Sequence, residues 1–252
     1  MQKWRLLLGT LPIALGALAV KALLRFGFDF EGWVSFGDLS PVLAAGVFLI
    51  GFMLTGVMAD FKESERTPSL LAGTLATLNP LLRALAAGNP QLQQAKMEDL
   101  LPPLGHALLG WFHKRVTKAQ LLVHINGLND ALVQAGEKAN ASTVAACLNQ
   151  VGILNAAIHR AEYVSRTGFV ASGYALLETV AGVIVLLLVL AKFPSQRGEM
   201  VLVPFLTLLY VSMIRLIRDI DDPFEYAADG SRSGAEIDLF PLEDYVREHP
   251  LP

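Results

Sequence analysis

The chain has 252 residues, of which 53% are hydrophobic and only 17% charged, and its formal net charge is −3. Soluble domains usually carry about 25% charged residues, so this composition indicates an integral membrane protein. The chain is not basic enough to suggest a nucleic-acid-binding protein. The single cysteine, Cys147, excludes an intramolecular disulfide and a multi-cysteine metal site, and its apolar neighbours predict a buried side chain.

Four apolar stretches, arranged in two pairs, predict four transmembrane helices. About 20 apolar residues are needed to cross a bilayer core roughly 30 Å thick. The predicted spans are residues 6–26, 39–59, 169–191 and 201–217. The second span contains no charged residue and is bracketed by Asp38 and Asp60. The first apolar run is longer than the apolar region of a secretory signal, so we interpret it as a retained span.

Lysine and arginine residues beside the spans predict the orientation in the membrane. Lys3 precedes the first span, Lys62 follows the second and Arg218 ends the fourth. The loop at residues 27–38 carries acidic residues and neither lysine nor arginine. Because positive residues favour the cytoplasmic side, we expect both termini and the central segment to be cytoplasmic.

The region between the two pairs of spans has the apolar periodicity of helices. One stripe consists of Leu121, Ile125, Leu128 and Leu132, and a second of Val144, Leu148, Val151, Leu154 and Ile158. No strand alternation is visible. We therefore predict an all-α integral membrane protein with a first transmembrane pair at 1–60, a cytoplasmic helical region at 61–166, a second pair at 167–218 and a cytoplasmic tail at 219–252. Symmetric oligomerisation would cover the helix faces that one chain leaves open.

The tail is strongly acidic, with ten acidic and two basic residues from Asp219 onwards. Its few apolar residues predict an ordered segment that packs on a neighbouring subunit. Asp219, Asp221 and Asp222 support two hypotheses. Clustered carboxylates are ligands for a hard cation such as calcium, but they also suit a polar helix end that holds a neighbour without metal.

No motif for catalysis is present in the sequence. It lacks a Gly-x-Ser-x-Gly segment, a phosphate-binding loop and a pair of catalytic carboxylates. The five histidines do not have the spacing of a helical metal site. We therefore expect no enzyme activity, no catalytic residues, no metal centre and no cofactor.

Several segments, in the same order along the chain, resemble bacterial bestrophin homologues. The apolar-Leu-Ile-Gly-Phe run at 48–52 is similar to the pore helix of that family, and 148–174 is similar to the segment that leads into its third span. The acidic-Pro-Phe run at 221–224 and the Asp-Leu-Phe-Pro-Leu run at 238–242 resemble elements that follow the fourth span. Two prolines expected before the third span are replaced by Gly168 and Val170, so the sequence resembles a divergent branch.

The resemblance implies a homopentameric channel of a bacterial inner membrane that conducts ions passively. Five copies of the second span would line one axial pore, with the lipid bilayer, other subunits and permeating monovalent ions as partners. Carried over by position, an apolar pore neck falls on Ala44, Phe48 and Phe52, and a cytoplasmic aperture falls on Phe169. Animal bestrophins hold calcium with an acidic cluster like the one near Asp219.

The acidic residues of the first loop bear on the sign of the permeating ion. Asp29, Glu31 and Asp38, repeated five times, would form an acidic external entrance that concentrates cations. This predicts cation preference, with an anion (chloride) channel of the same fold as the alternative.

Other interpretations of these residues stay open. Phe48 and Phe52 also suit a lipid-facing or packing role, and Glu178 is either a pore group or the partner of Arg215 or Arg218. A non-conducting scaffold or sensor that binds a cytoplasmic partner is the main competing class, and a small-molecule transporter is a third.

Overall fold

The computed structural model describes residues 4–87, 97–136, 139–167, 171–226 and 234–251. Helices dominate these residues, which confirms the predicted all-α class. The helices are α1 Arg5–Ala22, α2 Phe36–Ser64, α3 Thr67–Ala87, α4 Leu101–Phe112, α5 Lys118–Gly136, α6 Ala141–Arg166, α7 Ala171–Leu190, α8 Gln196–Asp221 and α9 Phe240–Glu248. A π-helical turn at Leu23–Gly27 extends α1, and a 3₁₀ turn at Met97–Leu100 leads into α4.

Two very short strands, β1 Val34–Ser35 and β2 Ala191–Lys192, pair in parallel. The sequence predicted no strand, because two residues are too few to show the alternation of a sheet. The pairing joins the residues directly before α2 to those directly after α7. It therefore holds the first turn of α2 in place.

Five helical stretches in the described residues are long and apolar enough to cross a membrane. They are Leu6–Gly27, Phe36–Ala87, Ala141–Arg166, Ser172–Leu190 and Gln196–Asp221. The third of these is α6, which has the lowest mean hydropathy of the five, 1.3. Its apolar face packs on α3 and α5, so we interpret it as a core helix, and the number of four spans stays a prediction.

The chain divides into two compact units. The first unit comprises Met1–Phe61 and Thr167–Asp222, and the second comprises Lys62–Arg166 and Pro223–Pro252. In the first unit, α1 packs along α8, and α7 packs on both. The hydroxyl groups of Thr10 and Ser212 are hydrogen bonded at 3.0 Å between α1 and α8. Such interhelical polar contacts are typical of helices that associate within a bilayer.

The second unit has a core of aliphatic side chains that lack exposure to solvent. The stripe predicted on α5, from Leu121 to Leu132, is fully buried. On α6, however, Leu148 is 37% exposed, and Cys147 takes the buried position between Val144 and Val151. Cys147, rather than Leu148, lies on the buried side of α6. The prediction that Leu148 is a core residue is wrong, and the prediction that Cys147 is buried is right.

The described parts of the acidic tail pack on helices of the same chain. Helix α9 lies on α3 and α4, and a Cβ placed on Gly105 of α4 would lie 3.1 Å from the Tyr245 ring. Before α9, the rings of Phe224 and Tyr226 contact the ring of Phe112. The Tyr226 hydroxyl donates a hydrogen bond to the carbonyl oxygen of Ile237, at 2.8 Å. Docking of the tail on a neighbouring subunit stays a prediction.

Candidate functional site

Helix α2, which carries the predicted pore neck, has two different faces. Ala44, Phe48 and Phe52 lie on one side, and the two phenylalanine side chains are 76% and 69% exposed. The opposite side is buried and consists of Leu39, Gly46, Ile50, Met53 and Val57. A spacing of four residues places the predicted neck residues on one stripe. This stripe has no packing partner within the described part of the first unit.

The buried side of α2 is held closely by α7 and α8. The Tyr210 hydroxyl donates a hydrogen bond to the carbonyl oxygen of Leu43, at 2.6 Å. A Cβ placed on Gly46 would lie 2.5 Å from Cδ1 of Ile184 and 3.0 Å from Cε1 of Tyr210, so a larger residue would require these side chains to shift. By contrast, a Cβ on Gly51 or Gly56 would meet no atom within 4 Å. Among these three glycines, close helix packing therefore applies within one chain to Gly46.

The predicted cytoplasmic aperture, Phe169, lies outside the described residues. Its position relative to the neck stripe on α2 therefore stays a prediction from the sequence resemblance.

The predicted acidic entrance is less acidic than the loop sequence indicates. Asp29, Glu31 and Asp38 are all exposed, and Asp38 lies in the first turn of α2, where the helix dipole favours a negative charge. Glu31 Oε2 forms an ion pair with Nζ of Lys192 on β2, at 2.5 Å. Hydrogen bonding and attraction to Lys192, with a further contribution from Arg25, lower the pKa of Glu31. The loop sequence does not predict this neutralisation, because Lys192 lies outside the loop.

The first unit also contains a buried ion pair that was not predicted from the sequence. Lys21 of α1 and Glu199 of α8 are 1% and 3% exposed, and their Nζ and Oε1 atoms are 3.1 Å apart. Lys21 also donates a hydrogen bond to the carbonyl oxygen of Ala191 on β2 and lies over the ring of Phe193. The sequence did contain a signal for this pair, because Lys21 lies within one apolar run and Glu199 lies next to another. Charged residues at membrane depth pair with one another.

The buried pair is connected to α2 through the two short strands. Lys21 contacts the carbonyl oxygen of Ala191, and Ala191 pairs with Val34 in the parallel ladder. Helix α2 begins at Phe36, directly after this ladder. Lys21 therefore contacts the strand that pairs with the residues before α2.

Glu178 on α7 forms an ion pair with Arg218 on α8. The Arg218 guanidinium also lies 5.6 Å from the ring centre of Tyr174. Of the two alternatives for Glu178, the structure shows the paired one. Arg215, the other candidate partner, lies against α1, where a Cβ on Gly9 would be 2.9 Å from its Nη1 atom.

The three aspartates at the end of α8 make polar contacts of their own. Asp221 lies near the Tyr174 hydroxyl, and all three aspartates interact with other groups of the chain. Calcium requires six to eight oxygen ligands. Among the described residues, no group of three or more histidine, cysteine, aspartate or glutamate side chains could hold a metal ion. Calcium binding by these aspartates stays a hypothesis from the sequence.

The fold is similar to that of bacterial bestrophin homologues from Klebsiella pneumoniae. A single-substitution variant matches with a TM-score of 0.69 and 17% identity, and 96% of this chain and 95% of that chain are covered. Another structure of a homologue from this organism has a TM-score of 0.66 and 17% identity, with 97% and 98% covered. No protein-family model and no curated protein matches the sequence.

These observations define an all-α membrane protein with several apolar helices long enough to cross a bilayer. Its fold over almost the entire chain is that of the bacterial bestrophin homologues. The fold is therefore bestrophin-like, as the sequence resemblance predicted.

Proposed function

We propose that the chain is the subunit of a homopentameric, bestrophin-like ion channel in which five copies of α2 line the pore. The observation that carries the proposal is the exposed stripe of Ala44, Phe48 and Phe52 on a helix whose other side is firmly packed. Rings of apolar side chains can gate a pore by dewetting, which requires no charged group on the stripe.

The further features of the proposal follow from the positions of the charges. The first unit would lie in a bacterial inner membrane, with both termini, the second unit and the tail on the cytoplasmic side. The channel would conduct ions passively, without a catalytic step or a bound cofactor. Asp29 and Asp38 would make its external entrance attractive to monovalent cations, while Lys192 offsets the charge of Glu31. A chloride channel of the same fold is the alternative for ion sign.

Planar-bilayer recordings of the purified protein test the proposed neck. Phe48→Ala and Phe52→Ala are each expected to raise unitary current by about twofold or more, because they widen an apolar constriction. Phe205→Ala is a matched control, since this α8 phenylalanine is also exposed in the first unit. Equal currents in the wild type and all three variants would contradict the assignment of the neck.

Two further measurements separate the remaining alternatives. Native mass spectrometry determines the oligomeric state, and a monomer or dimer would argue against the channel. Reversal potentials in asymmetric KCl give the ion sign, and potentials that track chloride would replace cation preference with the anion alternative. A folded pentamer that stays silent in the wild type and in both neck variants would favour the non-conducting scaffold or sensor.

A further inference from the structure

A cleft in the second unit lies between α4, α5 and the turn that joins them. It has a volume of about 500 Å³, within the range of about 300–1,000 Å³ that is usual for small-molecule sites. Ala107, Val116 and Val123 contribute apolar walls, and Leu251, after the end of α9, contributes a further apolar side chain. The cleft thus offers an apolar surface to a ligand of modest size.

The polar groups of the cleft are all suited to an anion. Arg115, His106, His124 and Gln120 line it, and none of the described residues that line it is an aspartate or glutamate. Arg115 makes no ion pair with any residue that the structure describes. The Arg115 side chain is exposed, so its guanidinium can bind a carboxylate from outside the chain in the bidentate geometry that arginine favours.

Two other polar groups of the cleft each have a nitrogen atom that is available for a hydrogen bond. Nε2 of His106 is buried and has no hydrogen-bond partner among the described residues. The side-chain carbonyl oxygen of Gln120 already accepts hydrogen bonds from the backbone and hydroxyl of Thr117, each at 2.9 Å. The amide nitrogen of Gln120 therefore remains to donate. Leaving a buried polar atom unpaired costs free energy, which a ligand acceptor would recover.

We propose that this cleft binds a small organic anion, a carboxylate with an apolar or aromatic body. Arg115 would hold the carboxylate, and His106 and Gln120 would add hydrogen bonds. Ala107, Val123 and Leu251 would cover the apolar body. The site belongs to the second unit alone, so it does not depend on the identity of the permeating ion or on the pore neck.

Isothermal titration calorimetry of the full chain in lipid nanodiscs, with naphthalene carboxylate as the probe, tests this proposal. The neutral alcohol of the same size and empty nanodiscs measure partitioning into lipid. We expect saturable binding of the carboxylate and at least about tenfold weaker binding of the alcohol. Saturable binding that is equally tight for the alcohol, or no binding of the carboxylate above that of empty nanodiscs, would overturn the proposal.

Two variants and one control locate the site. Arg115→Gln is expected to weaken binding by about tenfold or more, because it removes the charged donor. Leu251→Ala is expected to weaken it several-fold through lost apolar contact. Arg83→Gln is the matched control, since Arg83 is an exposed arginine of the same unit that pairs with Glu98. Unchanged binding in Arg115→Gln, or an equal loss in Arg83→Gln, would place the probe elsewhere.

Discussion

The two units of the chain differ in the charged and large apolar side chains that they bury and expose. The second unit buries leucine stripes from α3 and α5 and exposes charges such as Arg83 and Glu98. The first unit buries the Lys21–Glu199 ion pair and exposes large apolar residues, among them Phe48. Burial from water organises the second unit, whereas a bilayer would make exposed apolar residues favourable and paired polar groups necessary in the first. The comparison supports a membrane location through packing as well as hydropathy.

The largest expected effect comes from breaking the buried pair of the first unit. Lys21→Met leaves the Glu199 carboxylate buried without its partner, which is expected to lower the free energy of unfolding by about 3–5 kcal/mol. Lys21→Met combined with Glu199→Leu should recover much of that loss, because no charge remains to be desolvated. Equilibrium unfolding in detergent micelles measures both.

The control for this pair is Lys192→Met, which removes an ion pair between half-exposed side chains. Exposed pairs contribute about 0–1 kcal/mol, so this variant should be close to the wild type. Similar losses in Lys21→Met and Lys192→Met would show that burial of the first pair has no energetic consequence.

A leucine-to-alanine comparison tests the second unit against the first. Leu128 is fully buried in the second unit, so Leu128→Ala is expected to cost about 2–5 kcal/mol through lost burial and the cavity left behind. Leu186 is 56% exposed on α7, so Leu186→Ala is expected to cost less than about 1 kcal/mol. Thermal unfolding monitored by circular dichroism compares them, and a reversed order would contradict the contrast between the units.

A smaller effect is expected where α2 approaches α7. Gly46→Ala places a methyl group in contact with Ile184 and Tyr210 and is expected to cost about 1–3 kcal/mol through overpacking. Gly51→Ala adds the same group where no atom lies within 4 Å and should be neutral or slightly stabilising, because alanine favours helix. Equal stability of the two variants would mean that α2 is not packed tightly at Gly46.

The smallest effect concerns the pH dependence of Glu31. Its pKa is lowered below the ordinary value of 4.5 by Lys192, so its stabilising contribution is present above pH 4.5 and is lost as the pH falls through the lower folded-state pKa. In Lys192→Met, the pKa of Glu31 should rise toward 4.5. NMR titration of the side-chain carboxyl carbon measures this change, and an unshifted carboxyl would show that Lys192 does not neutralise the loop.

Local sequence patterns were sufficient to predict the fold class and much of the second unit. Helix geometry is local, because each turn is formed by residues close together in the chain. The apolar runs of span length and the stripe from Leu121 to Leu132 can therefore be recognised in the sequence. The prediction for Leu148 was wrong because one position along a helix changes its direction by about 100°. The apolar stripe on this helix does not specify whether Cys147 or Leu148 takes the buried position.

By itself, the sequence determined the helical class, the apolar runs and the resemblance to bestrophins, because these depend on composition, periodicity and short segments. Only the tertiary structure decided which side of α2 stays exposed, and that Lys21 meets Glu199 and Lys192 meets Glu31. These partners lie far apart along the chain. The physical reason is that ion pairing and close helix approach depend on three-dimensional distance, which hydropathy and helical periodicity do not specify.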